Sequence, residues 1–263
     1  MNTQTLCQNI CIAILLAFTA IVNTHSASND FPLREKYKDV PTIELQTLSN
    51  EYTNTIIIDV RSKAEYEVIH IAKSHNIPLS NRGFVNKVKK LREDNPNKKI
   101  ILYCNGHTCA KSYKATKKLS DEKIDNCLAF DAGIFDWIQK NPQHSALLGK
   151  EPADLSKLIS AQEFKSRTLK KEEFEQKLSS TNNAIVIDIR EAVQRKFNPN
   201  YKSIRNIPFT NIVKAIKNKK YQDKTLFIFD AVGKQVKWLQ YYLKDNQYQN
   251  YYFLDKGVKS LQI

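Results

Sequence analysis

The 263-residue chain is poor in the residues that interrupt regular structure, with 6 glycines and 8 prolines. That scarcity leaves no low-complexity segment. Cysteine is also sparse, and the count of 5 is odd. Charge is missing altogether from residues 1–29, which hold no Lys, Arg, Asp or Glu. Within that stretch residues 10–22 (ICIAILLAFTAIV) are apolar apart from Cys11 and Thr19. The run is short for a bilayer span, which needs roughly 20 residues, and suits the core of a secretory leader. Ser26, Ala27 and Ser28 supply the small residues at which a leader is cut.

The expected signal peptide is therefore residues 1–28, and the expected location is outside the cytoplasm, in the periplasm. Neither Lys nor Arg precedes the apolar run, so a retained membrane anchor is the alternative, as is a buried N-terminal helix. Membrane contact is expected only if the leader stays. Cleavage removes Cys7 and Cys11 and leaves Cys104, Cys109 and Cys127. An odd number in an exported chain argues against a disulfide-stapled scaffold and leaves at least one thiol unpaired.

What remains is strongly basic. The net charge of +14 belongs entirely to the mature part, with lysines densest at residues 87–92, 111–118 and 214–220. Such runs are solvated helix faces, and without interleaved aromatics they argue against nucleic acid as a partner. Attraction of small anions is the inference that survives. A hydrophobic content of 41% suits a soluble globular protein, and the length allows two domains with separate cores.

Two segments of the chain repeat one another. TIIIDVR (55–61) recurs as AIVIDIR (184–190), HNIP (75–78) as RNIP (205–208), KIILYC (99–104) as TLFIFD (225–230), and AFDAGIFDW (129–137) as FLDKGVKSL (253–261). Order and spacing are nearly kept, which marks a tandem duplication. The β-branched runs ending in Asp have the character of buried parallel strands. Amphipathic stretches at 84–91, 110–119 and 235–243 alternate with them as helices. The expected fold class is α/β, with two domains, 38–145 and 155–263, each a parallel sheet covered by helices on both faces. A linker is expected over residues 143–158, after the Asn141-Pro142 helix stop, and Ser160 to Glu163 has the form of a capping box opening a helix.

DVRSKAEYEVIHIAKSHNIP, then ILYCNGHTCAKS, then FDAGIFDW resembles the rhodanese family of sulfurtransferases in motif order, and both copies match across nearly the whole mature chain. The resemblance implies tandem rhodanese-like domains, with Cys104 as the nucleophile at a strand end and a loop wrapping its sulfur before a helix begins. A turn of this kind aims successive backbone N–H groups and a helix dipole at the loop's first residue. A thiol there loses its proton easily and becomes a nucleophile.

The candidate catalytic residue is Cys104, and the candidate substrate-binding residues are Asn105, Gly106, His107, Thr108, Cys109, Ala110 and Lys111. The family's loop commonly carries Arg five residues after the Cys; here that position is Cys109, and a cation arrives later in Lys111-Ser112. Ile69 and Lys73 stand where the family often has Gly. No metal is expected, since Cys104, His107 and Cys109 lack a fourth ligand, and no cofactor is required. Asp59 and Arg61 are expected to brace the strand end and pair with Glu65, and His70 to be a hydrogen-bonded scaffold residue. His107 is either a proton-handling group or loop filling. Cys109 is either a resolving thiol or a small residue filling the loop.

In the second copy Asp230 stands where the first has its nucleophile, so that copy is expected to be non-catalytic, to pack on the first and to narrow its cleft. A carboxylate there would repel an anionic donor. A separate ligand site at Asp230 and Lys234 is the alternative. The function expected is an exported sulfurtransferase that moves sulfane sulfur from thiosulfate or a similar small anionic donor to a thiol or cyanide acceptor. The alternatives are a thiol–disulfide or persulfide-relay protein using Cys104 and Cys109 with a redox partner, and a non-enzymatic binding scaffold.

Overall fold

The computed structural model describes residues 30–262. The expected leader, with Cys7 and Cys11, lies outside the described residues. The first copy runs α1 (Leu45–Glu51), β1 (Thr55–Asp59), α2 (Lys63–Val68), β2 (Ile69–Ile71), β3 (His75–Asn76), α3 (Phe84–Asp94), β4 (Lys99–Tyr103), α4 (Lys111–Asp121), β5 (Cys127–Phe130), α5 (Gly133–Lys140) and β6 (Ser145–Leu147). The second runs α6 (Ala161–Ser166), β7 (Thr168–Leu169), α7 (Lys171–Ser179), β8 (Ala184–Asp188), β9 (Arg205–Asn206), α8 (Phe209–Lys217), β10 (Thr225–Phe229), α9 (Val236–Asp245) and β11 (Tyr251–Leu254).

The fold is α/β with two parallel sheets. One has four strands in the order β3-β1-β4-β5, the other five in the order β7-β11-β10-β8-β9. Their registers coincide. Asp59 lies opposite Tyr103 and Asn76 in the first sheet, as Asp188 lies opposite Phe229 and Asn206 in the second. The duplication read from the motifs is thus repeated in four strands, β3-β1-β4-β5 matching β9-β8-β10-β11, while β7 extends the second sheet only. Each central strand is buried along four of its five residues, as β-branched and aromatic runs must be when helices cover both faces.

Two features differ from expectation. Residues 145–147, inside the expected linker, form β6, which pairs antiparallel with β2. Burial of Ser145, Ala146 and Leu147 makes that stretch part of the first copy's wall. At Ser160 only half of the expected capping box forms. Ser160 Oγ accepts the Glu163 N–H, while the Glu163 carboxylate pairs instead with Lys244 of α9 at 2.9 Å.

The two copies share one continuous apolar core, in which Ile57, Ile101, Phe130 and Trp137 join Ile187, Ile228, Leu239 and Tyr241. Phe135 stacks on Trp238 with ring centroids 6.0 Å apart, and the Ile159 N–H donates to Tyr241 Oη. Helices α2 and α9 meet across this boundary, which sets the cleft beside the carboxyl ends of both sheets.

Candidate functional site

Both copies end their first central strand in the same ion pair. Asp59 and Arg61 are fully buried; Arg61 Nε and Nη2 donate to the Asp59 carboxylate at 3.0 and 2.6 Å. Arg190 holds Asp188 in the same bidentate way at 2.9 and 2.8 Å. A buried ion pair of this kind costs several kcal/mol to desolvate, and here extra hydrogen bonds offset that cost. Arg61 Nη2 also donates to the Ile69 carbonyl at 2.6 Å, and Nη1 to Asn105 Oδ1 at 3.1 Å.

Glu65 is reached through Asn105 rather than by Arg61 directly, which modifies the expected pairing. Asn105 Nδ2 donates to Glu65 Oε1 at 3.0 Å, and Lys111 Nζ lies 3.7 Å from Glu65 Oε2. Burial pushes the Glu65 carboxyl up, but the Lys111 and Arg61 charges and the Ser62 and Asn105 hydrogen bonds outweigh it. The group sits below the usual carboxylate range. A chain of contacts from Asp59 to Lys111 therefore ties the start of the Cys104 loop to its end.

Cys104 follows β4 directly and is fully buried. Its Sγ lies 3.0 Å from the Cys109 carbonyl oxygen and 3.6 Å from Ser112 Oγ. Cys104 and Cys109 are joined as a disulfide, with Cα atoms 6.4 Å apart, inside the span of roughly 4.4 to 6.8 Å that such bonds allow. Cys127 is a buried free cysteine in β5; burial pushes its thiol up, against the opposing charge of Arg92. Helix α4 then opens behind Ala110, which provides no side-chain cap. Its first-turn N–H groups therefore donate no hydrogen bond to a capping side chain.

The loop is pinned from behind by α5. The Ile134 N–H donates to the Cys104 carbonyl at 3.0 Å, and Gly133, at φ 67°, sits so close to the Asn105-Gly106 backbone that a Cβ has no room. The second copy repeats this device. Val258 N–H donates to the Asp230 carbonyl at 2.8 Å, and Gly257, at φ 57°, leaves no room for a Cβ against Asp230.

Asp230 turns inward. Oδ1 accepts the N–H groups of Val232, at 2.9 Å, and of Gly233; Oδ2 accepts those of Gln235 and of Val236, the last at 3.1 Å. The carboxylate thus fills its own loop and caps α9. Asp230 is almost fully buried and bonded to these four backbone donors, and it also forms part of the lining of the cleft between the copies.

Between the copies lies a cleft of about 730 Å³. Of the candidate substrate-binding residues, Asn105, Thr108, Cys109, Ala110 and Lys111 line it from the first copy. Gly106 and His107 do not. Gly106 is packed against Gly133 and the Ala132 carbonyl. His107 points to the other side of the loop, where it stacks on Phe31 and bonds Asp136 Oδ2 at 2.8 Å and the Asp30 carbonyl oxygen at 2.6 Å. Burial alone would lower the His107 pKa, but the Asp136 hydrogen bond and charge and the Asp30 carbonyl raise it. Of its two readings, the structure puts His107 in a contact with the N-terminal segment. His70 is held against Tyr66, with Nδ1 2.7 Å from its carbonyl oxygen, and burial lowers its pKa.

Several lining residues went unmarked in the sequence. Lys114 and Phe135 come from the first copy, and Gln194, Lys237 and Trp238 from the second, beside Lys234. Lys237 Nζ lies 4.8 Å over the Phe135 ring, and burial lowers its pKa. Trp238 also covers the buried Arg61 guanidinium, 5.7 Å from its ring centroid. Nothing local distinguishes these positions, because they become neighbours only when the copies pack. Ser112 is different: its place directly after Lys111 at a helix start was a usable signal for a hydroxyl near the Cys104 sulfur.

Residues 42–140, most of the first copy, match the family model described as Rhodanese-like domain. The two parallel sheets, matched in register, fit a tandem arrangement of such domains. Comparison with curated proteins found no match. Among solved structures, the chain is similar to a Bacillus halodurans protein at 23% identity, covering 49% of this chain and 91% of that one with a TM-score of 0.36. It is similar to a thiosulfate sulfurtransferase from Pseudomonas aeruginosa at 18% identity, covering 85% of this chain and 44% of that one with a TM-score of 0.36. A rhodanese-related protein from Thermoplasma volcanium is 24% identical, covering 38% of this chain and 92% of that one with a TM-score of 0.30.

Proposed function

We propose that the protein is an exported sulfurtransferase that carries sulfane sulfur on Cys104, taking it from thiosulfate or a similar small anionic donor and passing it to a thiol or cyanide acceptor. The observation that carries this reading is the position of Cys104, at the carboxyl end of a central strand and beneath a cleft with Lys111, Lys114, Lys234 and Lys237 in its walls. These four lysines outnumber the two carboxylates that share the lining, Glu65 and Asp230, and a recessed space with net positive walls concentrates a small anion.

With the Cys104–Cys109 bond open, the Cys104 thiolate attacks the outer sulfur of thiosulfate and sulfite departs with the electron pair of the broken S–S bond. The Ser112 hydroxyl is close enough to donate to the thiolate, and the uncapped first turn of α4 favours negative charge there. The second copy supplies one wall of the cleft and no nucleophile.

Intact mass after thiosulfate tests the reading. Protein reduced and freed of reductant is expected to release sulfite, and a gain of about 32 Da, one sulfur atom, is expected on Cys104 when Cys109 is replaced by alanine. Absence of both sulfite and mass gain overturns it. A thiol–disulfide role is the second reading, favoured by the bond between Cys104 and Cys109.

A further inference from the structure

The two loop sulfurs have opposite surroundings. Cys104 is wholly buried, whereas Cys109 is partly exposed and lines the cleft. Their bond closes a ring only five residues apart in sequence. A ring that short removes less freedom from the unfolded chain than a long one, so bracing the fold is the weaker reason for it. It also consumes the thiol that the proposed function needs. A bond that blocks the nucleophile when closed and restores it when open belongs in the reaction cycle.

We infer that Cys109 is the resolving thiol of a reductive reaction at this site, in which the sulfane sulfur leaves as hydrosulfide and a dithiol reductant resets the loop. This rests on the proposed Cys104 persulfide. After sulfite has left, the Cys109 sulfur attacks Cys104 Sγ; the bond between Sγ and the outer sulfur breaks, and the outer sulfur takes that electron pair. The Cys109 proton leaves with it as hydrosulfide. The sulfane sulfur is reduced and the two cysteines are oxidised to the Cys104–Cys109 disulfide, so this step needs no outside oxidant.

An external dithiol then reduces that disulfide, becoming a disulfide itself. The sum is thiosulfate plus dithiol giving sulfite, hydrosulfide, the oxidised dithiol and one proton. Burial also sets the direction of reset. The incoming thiolate reaches the partly exposed Cys109 sulfur from the cleft, and the buried Cys104 leaves as the thiolate, within reach of the Ser112 hydroxyl. The mixed disulfide therefore forms on Cys109.

The cation-lined cleft suits this chemistry, since thiosulfate, sulfite and hydrosulfide are all anions. Its volume of about 730 Å³ exceeds what these small ions fill, leaving room for a peptide-borne thiol to reach Cys109.

The full mature chain, reduced, freed of reductant and kept anaerobic, is given one equivalent of thiosulfate. The expected result is one sulfite and one sulfide per chain, a mass about 2 Da below the reduced protein, and no lasting gain of about 32 Da. Cys109→Ala, with Cys109→Ser as the second variant should alanine disturb the loop, is expected to release sulfite, hold the added sulfur and give no sulfide until thiol is added. If the parent holds the persulfide as long as both variants do and releases no sulfide, the resolving role is overturned while the Cys104 persulfide stands. If neither parent nor variants release sulfite or gain mass, the proposed function fails and this inference with it. The oxidised parent, treated with 2-mercaptoethanol and acid-quenched, is expected to carry the adduct on Cys109. An adduct confined to Cys104 overturns the direction of reset.

Discussion

The loop after β4 and the loop after β10 descend from one pattern and now do opposite things with negative charge. In the second copy, Asp230 draws four backbone N–H groups onto its own carboxylate and closes the loop around itself. In the first, Cys104 has no oxygen to fill that space; its sulfur rests against Cys109 and Ser112, and α4 begins without a side-chain cap. The carbonyl of each residue is pinned by the same N–H from a glycine-led turn, Ile134 in one copy and Val258 in the other. What differs is whether the charge at the strand end is permanent and internal or is delivered by a reaction. Asp230 thus marks, in the second copy, where an anion sits most favourably in the first.

The largest effect expected on that comparison comes from removing the reactive atom. Cys104→Ser keeps the size of a wholly buried side chain but not its nucleophilicity, and thiosulfate-dependent sulfite release should fall on the order of 10³-fold or more. Circular dichroism should show the fold intact. Activity within about tenfold of the parent would place the chemistry elsewhere.

Asp230→Ala comes next, and it acts on stability. Four N–H groups lose a charged acceptor, so unfolding free energy should fall by about 2–4 kcal/mol, read from denaturant unfolding. Sulfite release at low temperature, where the variant stays folded, should fall less than about tenfold. An unchanged stability would show that water replaces the carboxylate without cost. A loss matching that of Cys104→Ser would give the second copy a share in the chemistry.

The paired glycines separate the copies more finely. At Gly133 and Gly257 positive φ alone costs an alanine roughly 1–2 kcal/mol, and each Cβ also meets backbone. Gly133→Ala presses on Asn105 and Gly106 and should cut sulfite release by about tenfold to a hundredfold through displacement of the Cys104 loop. Gly257→Ala should cost similar stability and leave activity within about threefold. Equal activity losses would mean that the two loops are coupled through the shared core.

Much of this was legible in the chain because it is local. Strands β1, β4, β8 and β10 follow β-branched runs whose burial on both faces needs no distant information, and the repeated Asp-x-Arg gives the same buried ion pair twice. Lys73 adopts φ 62°, left-handed backbone at a position where the family often has Gly. The cleft was not legible. Trp238 and Lys237 lie on a helix whose apolar face reads as ordinary core, and they reach the site only because α9 packs on the first copy. The inward turn of Asp230 had a signal: Asp followed two and three residues later by Val232 and Gly233 is the form of an Asx turn, in which the side chain takes the backbone N–H groups ahead of it. The side of the loop that His107 faces depended on Phe31 and Asp136, which sequence distance conceals.

The smallest effect expected is on pH, and it too should appear in one copy only. His107, with its pKa raised by Asp136 and the Asp30 carbonyl, ties the first loop to the N-terminal segment, and the second loop has Val232 and Gly233 in place of such a group. A group whose pKa is raised on folding stabilises most below its unfolded value, about 6.5 for histidine, and loses that contribution as pH rises through the folded value. The pair is partly exposed, so solvent screens it. The melting temperature of the parent should therefore exceed that of His107→Gln at about pH 5.5, by no more than about 3 °C, and the gap should narrow by about pH 8.5. A gap that stays constant across this range would mean that stacking on Phe31, rather than charge, holds the segment down; a gap that widens would reverse the sign of the shift.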